Sequence, residues 1–104
     1  MNALILDTET HDLNGYPIEI AYAPCSFEQG VLVINQGEVF DEYFSCPEPI
    51  ALGALATHHI LETDIAEKPS FDTFKMPQDV QYLIGHNIDS VSYTHLRAHE
   101  TPEH

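Results

Sequence analysis

The chain has 104 residues, 17 of them acidic against 3 basic, for a formal charge of −14 with histidine neutral. That length allows one small domain burying about two-thirds of its unfolded surface, and 43% hydrophobic with 10% aromatic residues excludes a disordered polyanion. The charge excludes a basic protein that coats nucleic acid: contact with a phosphate backbone needs bridging cations or a basic region elsewhere, and otherwise the acidity serves solubility alone.

In chain order, Met1 to Thr10 reads as a strand buried on both faces through Leu4, Ile5 and Leu6. Asp12, Asn14, Gly15 and Pro17 then turn the chain. Ile18 to Phe27 resumes a β pattern, and Pro24 within it predicts a sheet edge or a bulge. VLVI and EVFDEYFS, set off by Gly-bearing turns, predict a meander of short antiparallel strands beside the first. Pro47 and Pro49 stop that pattern.

ALGALATHHIL predicts a short helix, with Leu52, Leu55 and His59 on one side and Ala51, Leu55 and His58 along another edge. Ser70 is placed to cap a second helix from Phe71 to about Val80, which Pro77 shortens or bends. QYLIGHN reads as a buried strand ending at Gly85. From Ser90 onward the sequence is polar and has no apolar periodicity. Cys25 and Cys46 are too few and too far apart for zinc, so two reduced, half-buried thiols are expected. The first residues do not read as a basic leader, and no apolar run reaches the ~20 residues of a membrane span, so a cytoplasmic protein with no membrane partner is expected.

The opening strand ends in Asp7 and Glu9. Side chains two apart on a strand share a face, ~6.6 Å apart along it. Carboxylates so placed converge on one cation; hard ions such as Mg²⁺ choose oxygen ligands, and two ions ~3.5–4 Å apart clamp a phosphodiester. The other reading of D-x-E is a strand that has simply reached solvent.

ILDTET, IEIA, ALATHHI and LIGHN follow one another in an order and spacing that resembles the DEDD superfamily of 3′–5′ exonucleases, particularly its exodeoxyribonuclease X and DNA polymerase III epsilon-like members. The resemblance runs from Leu4 to about Asp89. It implies an α/β fold of the ribonuclease H-like kind: a mixed sheet with the opening strand central, YLIG beside it, and flanking helices. It also implies that Asp7 and Glu9 are catalytic and bind the metal, two Mg²⁺ or Mn²⁺ ions in the intact family. Thr8, Thr10, His58 and Asn87 match substrate-binding positions, the substrate being a DNA or RNA 3′ end. His86 and Asn87 match the start of the second motif, H-N-x-x-F-D. By the residues alone, His58 reads equally as a surface histidine, and His86 with Asn87 as a polar strand end.

The pattern then breaks. The second-motif aspartate, five residues after His86, falls on Val91, while Asp89 stands two residues early. The third motif, H-x-x-x-x-D, does not follow. Val91 to Thr101 instead resembles the translation of a transposase sequencing adapter. The expected organisation is therefore 1–89, the N-terminal part of an exonuclease domain truncated before its C-terminal helices, and 90–104, a non-native or disordered tail. A metal-sensing cluster of His95, His99 and His104 would fall with that tail. The chain as written is expected to be inactive, and a sheet face left bare predicts self-association. The alternative, from another class, is a non-catalytic acidic module that recognises a protein partner.

Overall fold

The computed structural model describes residues 2–85. His86, Asn87, Asp89 and the segment from Ser90 onward lie outside the described residues.

β1 (Asn2–Thr10) lies between two neighbours. β2 (Pro17–Glu28) runs antiparallel to it, with Asp7 opposite Ala21 and Glu9 opposite Glu19. β3 (Val31–Ile34) and β4 (Phe40–Tyr43) follow, then two short helices, α1 (Leu52–His58) and α2 (Glu62–Ile65). β5 (Tyr82–Gly85) completes the sheet, parallel to β1, with Leu6 opposite Gly85. This is the mixed sheet expected, with the opening strand central and YLIG beside it.

The alternation of β1 divides its two faces. Leu4, Leu6 and Thr8 are buried, whereas Ile5 and Glu9 are half-buried and Asp7 is exposed. The expectation of burial on both faces through Ile5 is thus corrected: only one face is covered along its length. Leu4, Leu6, Ile20 and Leu83 form the floor of the core, and Phe44, Phe74 and Met76 close it. Each fully buried leucine contributes roughly 1.5–3 kcal/mol.

The middle strands are not a meander. β3 and β4 both pair with β2 and lie in succession along it, β4 opposite Glu19–Tyr22 and β3 opposite Cys25–Glu28. The length of β2, 12 residues, makes room for both. Pro24 sits at the seam between them. Its carbonyl accepts the Asn35 N–H at 2.8 Å, and the donor it lacks would have served the end of that ladder, where no further pairing follows. The register irregularity lies elsewhere, between Glu9 and Thr10.

The expected helix from Phe71 to Val80 does not form. One 3-10 turn, Phe71–Thr73, is followed by extended chain, and the Ser70 side chain caps nothing. Phe74 and Met76 are both buried while Lys75 between them is exposed. Residues two apart share a side only in an extended chain, so burying both excludes the helix; Pro77 opposes it as well.

α1 is the short helix expected within ALGALATHHIL and stops at His58. His59 takes a left-handed conformation, φ 60°, and its N–H returns to the Leu55 carbonyl at 2.8 Å. The side chain of Asp64 accepts the Leu61 N–H at 2.8 Å and starts α2. The apolar contact with the sheet comes from Ile60 and Ile65 against Ile18, while Leu52 is 79% exposed. Among the described residues no helix is long and apolar enough to cross a membrane.

Candidate functional site

Asp7 and Glu9 occupy one face of β1, near its C-terminal end. The end of the parallel neighbour β5 lies beside them, since Gly85 faces Leu6, one residue before Asp7. In open α/β sheets the C-terminal ends of parallel strands are where ligands gather. Gly85 is required there by proximity: a Cβ on it would overlap the Leu6 carbonyl oxygen.

Pairing carries further acids onto the same face. Across the sheet, Asp7, Ala21 and Asp41 form one row, and Glu9, Glu19 and Tyr43 the next. Glu19 registers the crowding. Burial, then a hydrogen bond to Asp41 and the negative charges of Asp41, Glu9 and Asp7, push its carboxyl up from 4.5 to about 7. The residue lies in the IEIA stretch, yet only the strand pairing reveals that it faces Glu9.

The oxygen-only donors and surplus negative charge suit a hard cation. Among the described residues, no three His, Cys, Asp or Glu side chains come together to hold a metal ion.

Thr8 lies on the opposite face of β1. It is 2% exposed, and its hydroxyl has no hydrogen-bond partner. Its side chain is therefore turned away from Asp7 and Glu9, and anything it contributes beside them comes from its backbone. The Thr10 hydroxyl donates to the Asp12 carbonyl at 2.8 Å, starting the turn that follows.

His58 binds back to that same strand end. Its Nδ1 accepts the Ile60 N–H at 3.0 Å, which leaves Nε2 to carry the proton of the neutral ring and donate to the Thr10 carbonyl at 3.1 Å. Both ring nitrogens are engaged by backbone, so His58 braces the residue after Glu9. Asn87, the remaining candidate for substrate binding, lies outside the described residues.

His11 carries a function in the local fold that the sequence reading did not assign. Its Nδ1 accepts the Tyr16 N–H at 2.9 Å, its ring stacks on Tyr16, and Nε2 faces Glu48 at 3.5 Å. A Cβ on Gly15 would overlap this ring. The turn after Glu9 is thus held by a buried histidine, and its carbonyl accepts the Ala51 N–H at 2.7 Å, tying the approach to α1 to the same corner.

No protein-family profile matches the chain, and no curated protein matches its sequence. Among solved structures it is similar to Exonuclease X in complex with 5′ overhanging duplex DNA, with 25% identity and a TM-score of 0.63. The match covers 97% of this chain and 54% of the other, so the chain spans about half the length of that relative. The mixed sheet is accordingly of the ribonuclease H-like α/β kind found in an exonuclease.

Proposed function

We propose that this chain is the N-terminal part of a DEDD-type, two-metal 3′–5′ exonuclease domain, in which Asp7 and Glu9 hold the metal. The observation that carries the reading is the shared face of these two carboxylates, at the strand end beside Gly85, within a fold similar to that of an exonuclease bound to DNA. When bound there, Mg²⁺ or Mn²⁺ would supply a Lewis acid that lowers the pKa of an attacking water and offsets charge on the phosphodiester.

The residues of this chain hold and aim. Asp7 and Glu9 present carboxylate oxygens from a strand anchored on both sides. His58 fixes the Thr10 carbonyl and so the backbone leaving Glu9. The phosphodiester of a DNA or RNA 3′ end reaches this acidic face only with cations between them. Catalysis needs two more carboxylates and a general base, and Val91 stands where the second motif places its aspartate. The chain as written is therefore inactive in this reading.

Mn²⁺ titration of the purified chain, followed by electron paramagnetic resonance, tests the assignment. Weak binding is expected, lost in Asp7→Ala and in Glu9→Ala. Binding that survives both substitutions would place the metal elsewhere. A labelled 3′ end should remain intact with the chain in Mg²⁺; degradation that disappears in Asp7→Ala would overturn the claim of inactivity.

A further inference from the structure

The opposite end of β2 carries a surface of a different kind. β3 is the terminal strand of the sheet order, and Val31, Leu32, Val33 and Ile34 are 60%, 38%, 42% and 44% exposed. Its uncharged residues leave both faces and the outer edge open among the described residues. The edge carries neither charge nor proline, two of the features that ordinarily discourage strand addition, and its four residues leave room for a short segment alone.

Beside it lies a cleft of about 600 Å³ with Leu4, Pro24 and Val33 among its apolar lining and Glu28, Glu38 and Asp79 among its polar one. Glu28 accepts a hydrogen bond from the Ser26 hydroxyl and Glu38 one from the Asn35 amide, which leaves further carboxylate lone pairs open. No lysine or arginine precedes Lys68, so the charged side chains flanking β3 in sequence, Glu28 and Glu38, are acidic.

We propose that β3 is a docking edge for an extended peptide segment of another protein, apolar and β-branched along its length and bearing arginine or lysine at its ends. The segment adds to the sheet as a further strand through backbone hydrogen bonds, and a terminal cation enters the acidic cleft. Charge complementarity selects this occupant. A second copy brings its own −14 to the same edge, and a nucleic acid brings phosphates. The inference stands on β3 and its cleft and is independent of the metal reading of Asp7 and Glu9.

The test uses the full chain and a short capped peptide of alternating valine and threonine with two arginines at each end. Binding is measured by fluorescence anisotropy and located by hydrogen exchange. The expected result is slowed exchange at 31–34 and an affinity roughly tenfold above that of the same peptide ended in glutamate, the difference shrinking as salt rises. A peptide of unchanged charge with proline at its centre should lose that protection, which separates strand addition from general ion pairing. Val33→Lys should weaken the arginine-ended peptide. The double variant Glu28→Gln with Glu38→Gln should keep the strand but make the two peptides bind alike.

Equal affinity for both peptides in the unsubstituted chain overturns the proposal. So does protection confined to other segments, or no binding at all. Protection of 31–34 that grows with protein concentration in the absence of peptide would instead assign the edge to a second copy.

Discussion

The two faces of β1 share one backbone and differ in almost everything else. On one, Leu4 and Leu6 pack with Phe44, Phe74 and Met76 and Thr8 is buried as well; on the other, Ile5 is half-buried and Asp7 and Glu9 share a face with Glu19 and Asp41. Apolar burial anchors the strand from beneath, while the face above accumulates like charges that oppose folding. The contrast shows how a strand can be held firmly by one face and still present on the other groups that are unfavourable together.

The largest expected effect compares the faces directly. Leu6→Ala should lower stability by about 3 kcal/mol, because it opens a cavity in a packed core. Ile5→Ala, from a half-buried position, should lose only about 1 kcal/mol. Urea melts followed by circular dichroism measure both, and equal losses would mean that the faces are equally covered. Next comes Gly85→Ala. Its methyl group would overlap the Leu6 carbonyl, so β1 and β5 must part, at about 2 kcal/mol and with faster exchange at 82–85. An unchanged melt would show that the two backbones lie farther apart.

Thr8→Val should raise stability by about 1 kcal/mol, since it removes a buried hydroxyl that has no partner. Destabilisation would reveal a partner for that oxygen. The smallest effect belongs to Glu19 and depends on pH. Its carboxyl is raised from 4.5 to about 7, so between those values the folded chain binds more proton than the unfolded one. Stability from this group is then greatest in acid and falls as pH rises through about 7. With solvent screening at a half-exposed carboxyl, the amount is under about 1 kcal/mol. Melts of Glu19→Gln and of the unsubstituted chain from pH 4 to 8 should diverge in that direction, the variant being the more stable at neutral pH.

Much of this was legible before any coordinates, but only where the signal was local. Asp7 and Glu9 share a face because strand side chains alternate, and the apolar run before them makes the strand plain. The sheet around YLIG followed from the family resemblance rather than from residue spacing. The stretch after Ser70 carries a local helix-start signal, a serine at an N-cap position, that the fold does not use. What decided the conformation was a distant demand, the burial of Phe74 and Met76 on Phe44 and Leu83. His59 falls off the helix side shared with Leu52 and Leu55 because it ends α1 in a left-handed conformation, and Ile60 and Ile65 beyond it meet Ile18.

The sequence by itself determined the alternation of β1, its acidic end, and the absence of any lysine or arginine before Lys68. Each is a property of neighbours along the chain. Only the tertiary structure decided that Glu19 and Asp41 crowd those acids, that Thr8 faces the core, that His58 braces Thr10, and that β3 is left at an edge. These depend on strand register and on which surfaces meet, energies summed over residues far apart in the chain that no short stretch encodes.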